Sequence, residues 1–324
     1  MTKPQHRIVF LDAATYGDLS LERFTQTWDC TVHQVTSPAQ TISRLTGHTV
    51  AVTNKVAFDK SVFDAPESAA LKLIAVAATG TDVIDKVEAA KHGVTVCNVP
   101  GYASQSVAQF TMALMLELAT RAGSYGADVK AGEWQQSPVY TLFTYPQVEL
   151  CGKKLGIVGY GNIGQTVAKI ARGLGMQLLI GARTGDPTPP AGRVVLDQLF
   201  RVADVISLHC PLTPATKNLV NPQILALMKP TAFLINTARG ALIDEVALIE
   251  TLRAKRIAGA ALDVITQEPP PANHPMVLAA KELPNLILTP HTAWSAREAR
   301  ERLLDEVKEN IVAFTQGRDR NLVC

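Results

Sequence analysis

Hydrophobic and polar positions along the chain follow two alternating patterns. Short runs of Val, Ile, Leu and Ala without in/out alternation are typical of parallel strands buried on both faces. Four lie in the first hundred residues: RIVFLD, TVAVTN, LKLIAVAA and VTVCNV. Six follow: KLGIVGY, MQLLIGA, ADVISLHC, TAFLINTA, IAGAALDV and NLILTP. Segments of helical period, such as SVAQFTMALMLELATRA and DEVALIETLRAKR, separate them. The alternation predicts βαβ units and doubly wound parallel sheets, an α/β fold.

The two sets of strands predict two domains around a cleft. A glycine-rich turn opens the second set, so we expect a Rossmann dinucleotide-binding domain over residues 99–289. A flavodoxin-like substrate domain is expected over residues 1–98 plus 290–324, because the closing helix is free to return to the first set of strands. That helix has an apolar face, formed by Leu303, Leu304, Val307, Ile311 and Phe314.

Composition narrows the class of protein. The chain has 324 residues, 47% hydrophobic and 19% charged, as expected for a globular protein of two domains. A net charge of +2 predicts neither a nucleic-acid partner nor a membrane surface. The longest apolar run carries Glu117, and we read no signal peptide, so we expect a cytoplasmic protein. Five scattered cysteines without a CxxC spacing predict neither a disulfide nor a metal site.

A glycine motif carries the first specific chemistry. Gly159, Gly161 and Gly164 form G-x-G-x-x-G between a predicted strand and a predicted helix, the context that dinucleotide binding requires. The first glycine permits the turn, the second lets a pyrophosphate approach, and the third lets helix and strand pack closely. The amides of Asn162 and Ile163 would face the phosphates. The alternative is a glycine-rich turn that binds no ligand.

The strand after this motif lacks an expected acid. An Asp or Glu at its end usually binds the adenosine ribose, but here Ala182, Arg183 and Thr184 follow. The Arg183 guanidinium suits a phosphate and Thr184 adds a hydroxyl donor, so we predict that NADP(H) is preferred and NAD(H) is possible. Alternatively, Arg183 is a solvated loop residue and either cofactor is accepted.

Four later motifs, HCPLTPATKNLV, INTARGALIDEVAL, GAALDVITQEPPP and LTPHTAW, occur in this order. Together they resemble the D-isomer-specific 2-hydroxyacid dehydrogenase family, and the likeness covers the whole chain. NVPGYASQSVAQ, VAATGTDVID and HTAWSAREARERLLDEVKENI look most like its glyoxylate and hydroxypyruvate reductase members. The resemblance implies NAD(P)H-dependent reduction of glyoxylate or hydroxypyruvate to glycolate or D-glycerate.

The resemblance also implies three catalytic residues: Arg239, Glu268 and His291. Their chemistry fits the reduction of a 2-oxo acid. Histidine is a natural proton donor near neutral pH, a carboxylate on its other ring nitrogen orients it and favours imidazolium, and arginine holds a substrate carboxylate. Taken singly, each has an ordinary alternative: a capping arginine, a solvated turn glutamate and a core histidine.

Further contacts are implied with less support from the residues themselves. Pro211, Thr237 and Ala238 match positions that line the cofactor, and Asp263 matches an aspartate near the nicotinamide carboxamide. Its alternative is a buried acid that serves the structure. In the first domain, Ala78, Thr79 and Gly80 match a segment whose amides bind the substrate carboxylate. Arg239 and His291 would contact the same substrate. Asn54 is expected near the same place.

The resemblance implies a homodimer, built partly on the helix at residues 102–120 and the loop with Trp134. That helix is apolar at Met112, Leu114, Met115 and Leu118, as an interface would be. The alternative is that these side chains are buried within one chain. Two alternative functions stay open. One is a broad-specificity D-2-hydroxyacid dehydrogenase acting on bulkier 2-oxo acids, and the other is a dinucleotide-sensing regulator.

Overall fold

The computed structural model describes residues 6–186 and 188–324. Its compact units are Met1–Ala103 with Ser295–Cys324, and Ser104–Trp294. The chain therefore changes unit after residues 103 and 294, whereas the sequence prediction placed these changes after 98 and 289. The second difference has a visible cause, because the amides of Thr292 and Ala293 bond to Asp263 of the second unit. His291 consequently belongs to the second unit.

The first unit contains a five-stranded parallel sheet in the order β2-β1-β3-β4-β5. Its strands are β1 (Arg7–Phe10), β2 (Asp29–Val32), β3 (Val50–Thr53), β4 (Leu73–Val76) and β5 (Thr95–Cys97). Its helices are α1 (Glu22–Thr25), α2 (Pro38–Leu45), α3 (Lys60–Asp64) and α4 (Lys86–Lys91), joined by the closing helix α12 (Arg297–Thr315). This strand order is that of flavodoxin-like sheets.

The second unit contains a six-stranded parallel sheet in the order β11-β10-β9-β8-β6-β7. Its strands are β6 (Lys154–Val158), β7 (Gln177–Ile180), β8 (Val205–Leu208), β9 (Phe233–Asn236), β10 (Gly259–Leu262) and β11 (Leu286–Leu288). Its helices are α5 (Ser104–Thr120), α6 (Ala122–Ala131), α7 (Asn162–Gly173), α8 (Leu196–Val202), α9 (Pro222–Leu225), α10 (Glu245–Arg253) and α11 (Pro275–Glu282). The predicted α/β fold with two doubly wound parallel sheets is confirmed.

Burial explains which strands the hydrophobic pattern revealed. Each of the ten apolar runs contains a strand, and the residues of β3, β4, β8, β9 and β10 are buried throughout. The pattern missed β2, whose sequence is DCTV. It lies at the edge of its sheet with exposed or half-buried residues, so it carries no continuous apolar run.

The apolar side chains of α5 belong to the core of their own unit. Met112, Leu114, Met115 and Leu118 are at most 5% exposed and pack with the side chains of β6, β8 and β9. The interpretation of these four residues as an interface is therefore wrong, because their apolar surface is already covered within one chain. Along the described residues, no helix combines the length and apolar character needed to cross a membrane.

Candidate active site

The turn between β6 and α7 requires glycine at two positions. Gly159 has φ of +95°, and a Cβ atom there would lie 2.4 Å from the amide nitrogen of Cys210. A Cβ atom on Gly164 would lie 2.2 Å from the carbonyl oxygen of Gly159. Neither backbone neighbour can yield by that much, so these glycines allow the turn, the helix and the end of β8 to approach one another.

The same turn leaves room for a ligand at the start of α7. Gly161 caps this twelve-residue helix without a side-chain hydrogen bond, and a Cβ atom on Gly161 would have no neighbour within 4 Å. The amides of Asn162 and Ile163 stand in the first turn, where helix donors lack intrahelical acceptors and the helix dipole favours an anion. The residues present therefore fit the pyrophosphate of a dinucleotide.

The end of β7 carries the residues that replace the usual acid. Ala182 is 8% exposed, and its amide donates to the carbonyl of Val194 at 2.8 Å. Arg183 and Thr184 follow it on the surface. No acceptor among the described residues lies within hydrogen-bond distance of the Arg183 guanidinium, which leaves it available to a ligand.

The predicted catalytic residues follow three neighbouring strands. Arg239 comes after β9, Glu268 after β10 and His291 after β11, and these strands lie side by side in the sheet. The carboxyl ends of parallel strands share one edge, where ligands of such sheets bind. The fold thus places all three at the edge that also carries the glycine turn.

Glu268 and His291 form a direct pair. Nδ1 of His291 lies 2.5 Å from Oε2 of Glu268, and the two side chains are 24% and 30% exposed. The other carboxylate oxygen accepts a hydrogen bond from the amide of Ile265 at 3.0 Å, which fixes the carboxylate. This arrangement orients the imidazole ring and leaves Nε2 as the nitrogen for a substrate.

Asp263 holds the loop that carries His291. The side chain of Asp263 is buried, at 1% exposed. Its Oδ1 accepts hydrogen bonds from the Thr289 hydroxyl at 2.6 Å and from the Thr292 amide at 3.0 Å. Its Oδ2 accepts a hydrogen bond from the Ala293 amide at 2.8 Å. The amide of His291 itself donates to the Asp263 carbonyl at 2.7 Å, with φ of +51°. These bonds give Asp263 the structural role that the sequence left as the alternative.

The Arg239 turn depends on two residues that sequence reasoning missed. Asn236 is fully buried; its side chain donates to the Arg239 carbonyl at 2.8 Å and accepts from the Ala238 amide at 3.0 Å. A Cβ atom on Gly240 would lie 2.0 Å from the carbonyl carbon of Ile265, so glycine lets this turn touch the loop before Glu268. An Asn that ends a strand just before a turn was a local signal for the first of these.

The other predicted cofactor residues lie at the same sheet edge. Pro211 follows β8 and is exposed, and Ala238 is half-buried after β9. Thr237 is 8% exposed, and its hydroxyl lies 2.9 Å from that of Thr111 on α5. The side chain of Thr237 is therefore engaged inside the unit.

His209, at the end of β8, is unsuited to acid–base chemistry near neutral pH. Burial lowers the pKa of its imidazole to about 4. Nε2 lies 2.9 Å from the Ser207 hydroxyl, and the buried Nδ1 has no hydrogen-bond partner among the described residues. The ring is thus neutral under ordinary conditions, which agrees with a contribution through the backbone alone.

In the first unit, the predicted substrate residues follow β3 and β4. Asn54 is 3% exposed; its side chain donates to the Ala77 carbonyl at 2.9 Å, and its amide bonds to buried Asp12, whose pKa burial raises. The Thr79 hydroxyl donates to the Val99 carbonyl at 2.9 Å. Among the described residues the amides of Thr79 and Gly80 have no acceptor, whereas the Asn54 side chain is committed to the fold.

Among its described residues, the first unit contains one group of potential metal ligands. They are Asp64, Glu88 and His92, whose donor atoms lie within 4.8 Å of one another. Lys60 Nζ lies 2.7 Å from Asp64, and Lys91 Nζ lies 2.7 Å from Glu88. These ammonium groups already supply positive charge to both carboxylates. That the chain has no metal site stays a prediction.

Comparison with known proteins gives one family. The model of the NAD-binding domain of D-isomer-specific 2-hydroxyacid dehydrogenases matches residues 112–293. A glycerate dehydrogenase of Methylorubrum extorquens is 41% identical over 325 residues, which cover 100% of this chain and 99% of that protein. A glyoxylate reductase of Thermococcus litoralis is 42% identical over 272 residues, 82% of this chain and 79% of that protein.

A solved structure agrees with these matches. An acyclic imino acid reductase in complex with NADPH and D-Arg superposes with a TM-score of 0.84 at 29% identity, covering 98% of this chain and 100% of that one. The family model spans more than half of the chain, and a relative of 41% identity is covered over 99% of its length. The chain therefore belongs to the D-isomer-specific 2-hydroxyacid dehydrogenase family and is an oxidoreductase.

Proposed function

We propose that the protein reduces a small 2-oxo acid, glyoxylate or hydroxypyruvate, to glycolate or D-glycerate, with NADPH as the preferred reductant. The observation that carries the proposal is the 2.5 Å contact between His291 and Glu268 at the sheet edge shared with Arg239 and the glycine turn. The activities for which two relatives are named, glycerate dehydrogenase and glyoxylate reductase, support the choice of substrates.

Each residue of the triad has one task in this reaction. The Arg239 guanidinium binds the substrate carboxylate and fixes which face of the carbonyl is presented. His291 donates a proton from Nε2 to the carbonyl oxygen as it becomes a hydroxyl. Glu268 stabilises the charged imidazole and holds the ring in place through Nδ1. The nicotinamide, when bound, supplies the hydride.

The preference for NADPH rests on the end of β7. Ala182 brings no negative charge to repel a 2′-phosphate, and Arg183 and Thr184 offer donors on the surface beside it. An arginine fork binds phosphate oxygens better than it binds a neutral ribose hydroxyl. NADPH in the related imino acid reductase is consistent with this preference.

The remaining proposed contacts are with the cofactor and with the substrate. The amides of Asn162 and Ile163 bind the pyrophosphate, and the segments at Pro211 and Ala238 line the cofactor through their backbone, joined by Thr237. Asp263 keeps one lone pair on Oδ2 toward the nicotinamide carboxamide, in addition to the bonds that it makes within the fold. The free amides of Thr79 and Gly80 bind the substrate carboxylate.

We further propose that the protein is a cytoplasmic homodimer. The support lies in the segment after α6, where Tyr140 is 90% exposed, Phe143 is 86% exposed and Trp134 is 51% exposed. Aromatic side chains are enriched in protein interfaces, and these three lie within ten residues of one another in the sequence. Sedimentation of the purified protein tests this, and a monomer at micromolar concentration would exclude it.

The central experiment measures steady-state reduction of glyoxylate, hydroxypyruvate and pyruvate, each with NADPH and with NADH. We expect glyoxylate and hydroxypyruvate to have a higher kcat/KM than pyruvate, and NADPH to be favoured over NADH. A comparable kcat/KM with pyruvate would instead indicate a broad-specificity reductase. Cofactor binding without turnover of any 2-oxo acid would contradict the proposed reaction and favour a dinucleotide-sensing regulator.

A further inference from the structure

Arg193 lies beside the end of β7, although nine residues of the chain separate it from Arg183. The Val194 amide donates to the Ile180 carbonyl at 2.9 Å, and the Ala182 amide donates to the Val194 carbonyl at 2.8 Å. Gly181 and Val194 form a parallel bridge. The chain entering α8 therefore extends the sheet next to the residues that stand where the ribose-binding acid is usually found.

The guanidinium of Arg193 connects this strand end to the glycine turn. It donates to the Gly181 carbonyl at 3.2 Å, and Cζ lies 5.2 Å from the centroid of the Tyr160 ring. Tyr160 is the residue between Gly159 and Gly161, so its ring belongs to the phosphate-binding turn itself. A cation over an aromatic face is attracted by the ring, and this contact restricts the half-buried side chain of Arg193 to one region.

Within the described residues, the charge of Arg193 has no counter-ion. In the described part of the chain no carboxylate pairs with it, and its contacts are one carbonyl and one ring. The guanidinium has five N–H donors, and the Gly181 carbonyl uses one of them. A half-buried cation with unused donors, set between the glycine turn and the end of β7, is suited to an anion bound at the adenosine end of a dinucleotide.

We propose that Arg193 is a second specificity-determining cation, which binds the 2′-phosphate of NADPH together with Arg183. The inference rests on the NADPH preference proposed above and adds a residue to it. Arg183 is exposed and unrestrained, so ordering its side chain on binding costs conformational entropy. Arg193 is already held by Tyr160 and Gly181, so it loses less entropy and contributes at least as much to the discrimination between the two cofactors.

The test uses two fragments that carry no nicotinamide, 2′,5′-ADP and 5′-AMP, with binding measured by calorimetry. We expect the unmodified protein to bind 2′,5′-ADP more tightly. Arg193→Gln should weaken 2′,5′-ADP about tenfold to a hundredfold, the effect of losing a hydrogen bond to a charged group, and change 5′-AMP less than about twofold. Arg193→Lys, which keeps the charge but loses the planar fork, should fall between.

Two further variants control the experiment. Arg201→Gln removes an exposed arginine of α8 in the same unit and should leave both fragments unaffected. Tyr160→Leu removes the ring that restrains Arg193. It should weaken the binding of 2′,5′-ADP, but by less than Arg193→Gln does. Tyr160→Phe keeps the ring and should leave the binding of 2′,5′-ADP unchanged. An equal loss for both fragments in Arg193→Gln would mean that Arg193 contacts the adenosine alone, and would overturn the proposal.

The outcomes separate this inference from the proposed function. If the protein prefers 2′,5′-ADP and only Arg183→Gln removes that preference, the NADPH proposal stands and the role of Arg193 is excluded. If the protein does not discriminate between the fragments, both are excluded. If the discrimination depends on Arg193 but no 2-oxo acid is reduced, the phosphate site stands and the proposed reaction is wrong.

Discussion

Glu268 and His291 lie 23 residues apart in the chain, yet a carboxylate oxygen of one is 2.5 Å from Nδ1 of the other. The Ile265 amide holds the carboxylate from one side, while Asp263 holds the histidine loop from the other. Both restraints start from the segment that follows β10. The geometry of the proposed proton donor is therefore built around one short stretch of chain, residues 263–268.

Replacing Glu268 by Gln tests whether its charge matters. The amide keeps the size of the side chain but loses the negative charge that stabilises the imidazolium. We expect kcat for reduction to fall about tenfold to a hundredfold, and His291→Asn to lower it by about 10² to 10⁴, the range for loss of a general acid. Stopped-flow measurement of kcat, with NADPH affinity by fluorescence as the control, checks both. Near-normal turnover in His291→Asn would remove this residue from the mechanism.

Asp263→Asn should disturb the loop that carries His291, although Asp and Asn side chains are nearly the same size. The Thr292 and Ala293 amides and the Thr289 hydroxyl all donate to this carboxylate, and an Asn amide group must present a donor to at least one of them. We expect a loss of about 2–3 kcal/mol in the free energy of unfolding, from an unsatisfied buried group, together with reduced kcat. Thr289→Val removes one bond only and should cost about 1 kcal/mol. If urea unfolding showed that Asp263→Asn is as stable as the unmodified protein, this account of the loop would be contradicted.

Gly240→Ala should separate the Arg239 turn from the Glu268 loop. The added methyl group would lie 2.0 Å from the carbonyl carbon of Ile265, a backbone atom that cannot move alone. We expect destabilisation by about 1–3 kcal/mol, as for overpacking, and a raised KM for the 2-oxo acid because Arg239 shifts.

Gly173→Ala is the matched control for that substitution. Gly173 ends α7, and a Cβ atom there has no neighbour within 4 Å. The change should leave KM unaltered and stabilise the protein by up to about 1 kcal/mol, because alanine favours helix. A Gly240→Ala variant that behaved like this control would show that the tight contact is not needed.

The features that could be predicted from the sequence are those that depend on residues close together in the chain. Gly159 and Gly164 were predictable because a strand, a turn and a helix follow one another without interruption around them. Buried strands such as β9 were predictable from their continuous apolar runs. Edge strand β2 is exposed or half-buried, so it has no such run and was not predicted. The pairing of Glu268 with His291 came from family resemblance, since nothing in the local sequence links two residues on separate loops.

Long-range contacts account for what was missed. Gly240 is required by the backbone of Ile265, which belongs to the next strand's loop. Arg193 acquires its position only when Val194 pairs with Gly181 beside β7, and its contact with Tyr160 spans 33 residues. The apolar face of α5 was visible in the sequence, but only the packing shows that its own unit covers it.

The buried imidazole of His209 predicts a loss of stability in acid. Its pKa in the folded protein is about 4, below the usual value of 6.5. Below about pH 6.5 the unfolded chain binds a proton here, while the folded chain does not until about pH 4. The neutral ring of His209 therefore makes its full contribution to the free energy of unfolding above about pH 6.5. That contribution, up to about 3 kcal/mol, is lost as the pH falls toward 4.

His209→Gln removes this titration while keeping a polar group near the Ser207 hydroxyl. We expect the unmodified protein to be the more stable near pH 7.5, because its imidazole is well packed and neutral. Near pH 5 the difference in free energy of unfolding should shrink by about 2 kcal/mol, the value of about 1.5 pKa units. Urea unfolding at both pH values measures it. A difference that stays constant with pH would mean that protonated His209 is accommodated in the folded protein, and that the ring is less buried than its contacts indicate.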